Sequence, residues 1–104
     1  MNDIVIVSIA CASGDEADRI GRALVEGRLA ACVQNHAIIS TYRWQGEVET
    51  AAEVMLTVKT VAEKVEALAA AVEGLHSYDV PEILAVPVTW VSEDYAAWLR
   101  AQVT

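Results

Sequence analysis

The strongest constraint in this chain is a long β-forming stretch interrupted once by glycine. Residues 29–45 read "LAACVQNHAIISTYRWQ", Gly46 follows, and residues 47–60 read "EVETAAEVMLTVKT". A glycine directly after Gln45 is a turn signal, so the flanks pair as a hairpin with unusually long arms. Residues 48–52 are poor strand formers and predict a bulge or break in the second arm.

The elements around this hairpin alternate without a linker or repeat. Residues 3–12 form a first strand, with Val5, Val7, Ile9 and Cys11 on one face and Ile4, Ile6, Ser8 and Ala10 on the other. Ser13 with Glu16 has capping-box spacing and opens a helix whose apolar stripe is Ala17, Ile20 and Leu24, with Gly27 near its end. Thr60 with Glu63 repeats that spacing ahead of Val61, Val65, Leu68, Val72 and Leu75, an amphipathic helix. "HSYDVP" (76–81) is a loop in which Pro81 biases Val80 towards extended geometry. "EILAVPVTWV" (82–91) is a fourth strand, and Ser92 caps a short last helix. The order β-α-β-β-α-β plus a terminal helix predicts an α+β, ferredoxin-like split βαβ plan in one domain, residues 1–104. Pro87 fits the fourth strand because that strand lies at a sheet edge.

Composition narrows the function classes. The chain is 55% hydrophobic, too apolar for disorder, and carries 15 acids against 7 Lys and Arg, a net charge of −8. Its basic residues are scattered singly, so nucleic acid and anionic membranes are poor partners. No apolar run approaches the roughly 18 residues that cross a bilayer. The amino terminus resembles a short signal core, but Asp3 stands where a basic region belongs. A cytoplasmic location is expected, with Cys11 and Cys32 as free thiols.

Helices cover only one face of such a sheet, yet the first strand is apolar on both. Leaving Ile4, Ile6 and Ala10 in water would create a sizeable apolar patch. Either sister copies bury the open faces against each other, the favoured expectation, or the terminal helix folds over them through Trp98 and Leu99. Trp44, near the arm's tip, is expected to be buried by something outside the arm, as aromatic anchors are at interfaces.

Five blocks together carry a family resemblance: "LAACV" (29–33), "YRWQGEVE" (42–49), "EVMLTVKT" (53–60), "HSYDVPEI" (76–83) and "DYAAWL" (94–99). In this order and spacing they resemble the CutA family, the divalent-cation tolerance proteins. The resemblance implies a tight homotrimer of ferredoxin-like protomers, akin to nitrogen-regulatory signalling trimers, with the long hairpin reaching a neighbour. It also implies a role in metal-ion tolerance. The chain departs from the family at Ser77, Asp79, Gln34 and Glu47, and it has Leu75 beside His76 where some members carry two histidines. A copper site therefore has one potential ligand fewer here.

Cys11, which matches the cysteine ending the family's first strand, His76 and Glu82 form the candidate metal set. Thiolate with imidazole suits Cu or Zn. The alternative makes Cys11 a buried small hydrophobe and His76 a loop residue bonded to backbone. Cys32 is expected in the core, and Glu47, Glu49, Glu53, Glu63 and Glu66 on solvated faces or at helix starts. Lys59 is expected near Tyr78, Asp79 or Glu82, forming a cleft between subunits in which an anionic small molecule binds. No CxxC, HxxxH or HExxH spacing occurs, and no two carboxylates stand out as a hydrolytic pair. The expected function is non-enzymatic: a trimer responding to divalent metal ions with no required cofactor, or a signalling-type trimer whose clefts take small molecules or proteins.

Overall fold

The computed structural model describes residues 3–104. Its elements are β1 (Ile4–Cys11), α1 (Gly14–Glu26), β2 (Cys32–Trp44), β3 (Glu47–Val61), α2 (Val65–Leu75), β4 (Ile83–Pro87) and α3 (Glu93–Gln102), with a 3-10 turn at Ala62–Lys64. The sheet order is β2-β3-β1-β4, and the paired strands are antiparallel. This is the expected ferredoxin-like plan, with β4 at an edge.

One core lies between the sheet and two helices. Val7, Ile9 and Cys11 of β1 and Leu56 and Val58 of β3 meet Ala17, Ile20 and Leu24 of α1 and Leu68 and Val72 of α2. Each large side chain buried there stabilises the fold by about 1.5–3 kcal/mol. Gly21 lets α1 approach closely, since a Cβ there would stand 3.1 Å from Val33 Cγ1. Ser13 caps α1 by accepting the Glu16 N–H, but the Glu16 carboxylate reaches back to the Ala12 N–H instead of closing the box on Ser13.

The second capping box does not form. Thr60 remains in β3, fully buried, and donates its hydroxyl to the Leu29 carbonyl at 2.7 Å. Val61 also stays in the strand, so α2 starts at Val65 without a side-chain cap. Strand pairing and a buried hydrogen bond outweigh the local capping preference. Beyond Pro87 the expected fourth strand ends, five residues long.

The hairpin contains no bulge or break. Its register runs one to one from Cys32↔Lys59 to Trp44↔Glu47. Cross-strand partners hold the weak strand formers at 48–52, including the Thr41 and Thr50 hydroxyls 3.4 Å apart. The turn is tight because Gln45 (φ 50°) and Gly46 (φ 83°) are both left-handed, as a two-residue hairpin loop requires. β1 pairs with β3 only along Val54–Val61. The rest of the hairpin is a two-stranded ribbon, and Ile39 near its base is 72% exposed.

The open sheet face is closed at one end by the chain itself. Ala96, Leu99 and Val103 pack against Ile4, Val61 and Ala31. The terminal helix therefore does part of the covering that sister copies were expected to do. Leu84 and Val86 remain about half exposed on the same face, at 50% and 46%.

Gly46→Ala should lower stability by about 1–2 kcal/mol because it forces a Cβ into the left-handed region. Gly74, which has nothing within 4 Å of an added Cβ, should gain about 0.4–1 kcal/mol as Gly74→Ala. Chemical denaturation of the two variants measures both.

Candidate functional site

Two adjoining features lie where β1 ends and α2 gives way to the 76–82 loop. The first is a buried polar cluster. His76 terminates α2 in an extended conformation, its N–H bonded to the Val72 carbonyl. Its Nε2 lies 2.8 Å from the Ala10 carbonyl oxygen, which only accepts, so Nε2 carries the hydrogen. Nδ1 accepts the Tyr78 N–H at 3.1 Å. Both ring nitrogens are thereby occupied.

Glu16 sits beside this ring, 4% exposed. Its Oε1 accepts from the Ala12 N–H and its Oε2 from the Ser77 N–H, both at 2.9 Å, while His76 Nδ1 lies 3.8 Å from Oε1. Burial pushes the carboxyl up, but the Ala12 and Ser77 hydrogen bonds outweigh it and hold Glu16 below its ordinary range. Cys11 is fully buried, and burial first, then the Glu16 and Glu53 carboxylates, pushes its thiol up to about 11. The donor atoms of Cys11, Glu16 and His76 all lie within 4.8 Å of one another.

Sulfur, carboxylate and imidazole suit a borderline cation by type. A metal entering here would have to displace the Cys11 proton and take His76 Nδ1 from the Tyr78 N–H. As folded, the cluster is closed by protein hydrogen bonds.

The second feature is a cleft of about 800 Å³ between the hairpin arm and the loop. Ser40, Tyr42, Trp44 and Glu53 line one side, and Tyr78, Asp79, Pro81 and Glu82 the other. The Tyr78 hydroxyl donates to Glu53 Oε2 at 2.8 Å. Burial, reinforced by that carboxylate, raises the phenol well above its ordinary range. The Tyr78 ring also packs against His76, with centroids 4.8 Å apart. One residue pair thus joins the cluster to the cleft.

The expected site residues divide between these features. Cys11 and His76 come together, but their third neighbour is Glu16; Glu82 lines the cleft. Trp44, Tyr78 and Asp79 also line the cleft, with Trp44 still 44% exposed in the protomer. Lys59 belongs to neither. It pairs across the sheet with Cys32 and Ile6 and bonds Gln34 Oε1 at 2.6 Å, six residues along β3 from Glu53, about 20 Å at strand rise. Among the described residues no basic side chain lines the cleft, so its electrostatics oppose the anionic ligand expected from Lys59. Cys32 is half-buried rather than in the core.

Sequence reasoning missed Glu16 as a site residue and misplaced Glu53. Glu16 was legible as a helix-start acid, but nothing local shows its carboxylate reaching Ser77. Glu53 is buried where Tyr78 of the distant loop meets β3 and bonds its carboxylate.

Comparison with known proteins agrees with this architecture. Residues 5–102 match the CutA1 divalent ion tolerance protein family. The chain belongs to that family. The divalent-cation tolerance protein CutA of Thermus thermophilus is 43% identical over 101 residues, covering 96% of each protein. The CutA crystal structure from Xylella fastidiosa superposes with a TM-score of 0.96 at 38% identity, covering 99% of this chain and 100% of that one. CutA from Archaeoglobus fulgidus gives 0.96 at 35% identity, covering 97% and 99%. The ferredoxin-like fold and the family resemblance of the five blocks are both upheld.

Glu16→Gln tests the buried carboxylate. An amide has one acceptor oxygen for two backbone donors, so stability should fall by about 1–3 kcal/mol. Because the folded carboxyl titrates lower than the unfolded one, the wild-type contribution is full above the unfolded value. It disappears as pH falls through the folded one. Urea titrations at several pH values should show this acid limb reduced in Glu16→Gln.

Proposed function

We propose that this CutA-family protein acts as a homotrimer in the response to divalent metal ions, without catalysing a reaction. In this proposal it takes up Cu or a similar borderline cation, including Zn, at Cys11, Glu16 and His76. The observation that carries the proposal is the convergence of sulfur, carboxylate and imidazole donors from three segments within 4.8 Å. The divalent-cation tolerance named for its relatives supports it. A cytoplasmic setting belongs to the same proposal, since both thiols are free.

Loading would pull on the loop. Taking His76 Nδ1 removes the acceptor of the Tyr78 N–H, and Tyr78 is bonded to Glu53 in the cleft. Metal occupancy would in this way reach the cleft without a reaction. Because the Cys11 proton must leave, affinity should rise with pH through the neutral range. Calorimetry with Cu(II) and Zn(II) should give about one ion per protomer, weakened roughly ten-fold or more in His76→Ala. Equal, weak binding by both proteins would refute the metal assignment.

The assembly part rests on the two-stranded ribbon and the half-exposed Leu84 and Val86. Such a ribbon is marginal in water unless something packs on it, and three protomers exchanging arms would supply that packing. Native mass spectrometry at micromolar concentration should show three chains, and a lone monomer would remove the trimer.

A second function is favoured by the cleft itself: a signalling-type trimer whose clefts take small molecules, with metal binding incidental. Its supporting observation is the volume of about 800 Å³ beside the 76–82 loop, which contacts both features, within the usual range for small-molecule sites.

A further inference from the structure

Glu53 is 8% exposed, and its carboxylate meets one donor, the Tyr78 hydroxyl on Oε2. Among the described residues, Oε1 has no hydrogen-bond partner and no Lys, Arg or His pairs with Glu53. Among the described residues no side-chain oxygen sealed from solvent lacks a partner, so Oε1 opens into the cleft that Glu53 lines. A carboxylate this buried against a single neutral donor calls for a cation to share its site.

The rest of the cleft points to which kind. Asp79 and Glu82 add carboxylates, which repel an anionic ligand, while Tyr42, Trp44 and Tyr78 add aromatic surface, which attracts a cation over a ring. A bare metal ion fits poorly. Among the described residues, the one group of three ligands close enough to share an ion is Cys11, Glu16 and His76. Glu53, Asp79 and Glu82 are too dispersed for a single ion. A longer molecule with charges spaced along a carbon stem meets all of them.

We propose that the cleft binds a small organic cation, an ammonium or guanidinium compound on an alkyl stem. Its charged head lies on Glu53, its stem between the Tyr42–Trp44 side and the 78–82 loop, and its far end near Asp79 and Glu82. The proposal rests on the cleft being a ligand site and is independent of metal at Cys11.

Agmatine, with a guanidinium and an ammonium on a four-carbon stem, is the probe, and glutarate is the anionic control. Calorimetry on the full chain as it assembles should show saturable agmatine binding, weakened by salt, and none for glutarate. Glu53→Gln should weaken agmatine about ten-fold or more, because it removes the buried charged acceptor. Should that variant fail to fold, Glu82→Gln at the exposed rim decides, with an expected weakening of about three-fold. No heat with agmatine, equal binding of glutarate, or unchanged affinity in the folded variants would overturn the proposal. A neighbouring copy's basic side chain already seated on Glu53 would produce the first of these. Retained agmatine binding with lost Cu(II) binding removes only the metal proposal; the reverse removes only this one.

Discussion

The buried carboxylate of Glu16 holds together the part of the molecule on which its chemistry depends. It accepts the N–H of Ala12 where β1 ends and the N–H of Ser77 where the loop after α2 begins. Those segments are 65 residues apart, and among the described residues neither N–H has another protein acceptor. Hydrogen bonds to an ionised acceptor are among the stronger ones in a protein. This clamp sets where His76 stands, and His76 in turn fixes the Ala10 carbonyl and the Tyr78 N–H.

From Tyr78 the same chain of contacts passes outward. The phenol reaches Glu53 on the hairpin arm, so the cleft between arm and loop is shaped from within by the buried cluster. The two features answer different chemistry. The inner one has donors for a borderline metal ion but is closed by its own hydrogen bonds. The outer one is open, acidic and aromatic, and suits an extended cation. A change at the first has a short covalent and hydrogen-bonded route to the second, through residues 76–78. Coupling of this kind requires differential binding between two arrangements of that loop.

The hairpin makes a separate demand. Its inner half belongs to the four-stranded sheet, and its outer half is a ribbon with no third strand. The uninterrupted register keeps Tyr42, Trp44 and Glu53 on one face, since a one-residue slip would turn them to the other. α3 covers the far end of that face through Leu99 and Val103. Outside the cleft, Leu84 and Val86 at the β4 edge are the apolar side chains of that face left half exposed in the protomer.

The β-forming run of β1, the apolar stripes of α1 and α2 and the glycine at the hairpin turn were enough to determine the fold class, the element order and the edge position of β4. They also determined most of the core, because hydrophobic periodicity reports which face is buried. Five motif blocks were enough for the family. Element boundaries at Thr60–Val65 and beyond Pro87 were not legible, since strand pairing overrode local capping and propensity there. Nor was the identity of the site's buried carboxylates. Glu16 and Glu53 read locally as a helix-start acid and a surface strand acid, and Lys59 as a cleft residue. Only the crossing of a distant loop over β1 and β3 buried the first two and left the third at the opposite end. Side-chain burial by segments far apart in sequence is a property of the packed chain, and no local pattern encodes it.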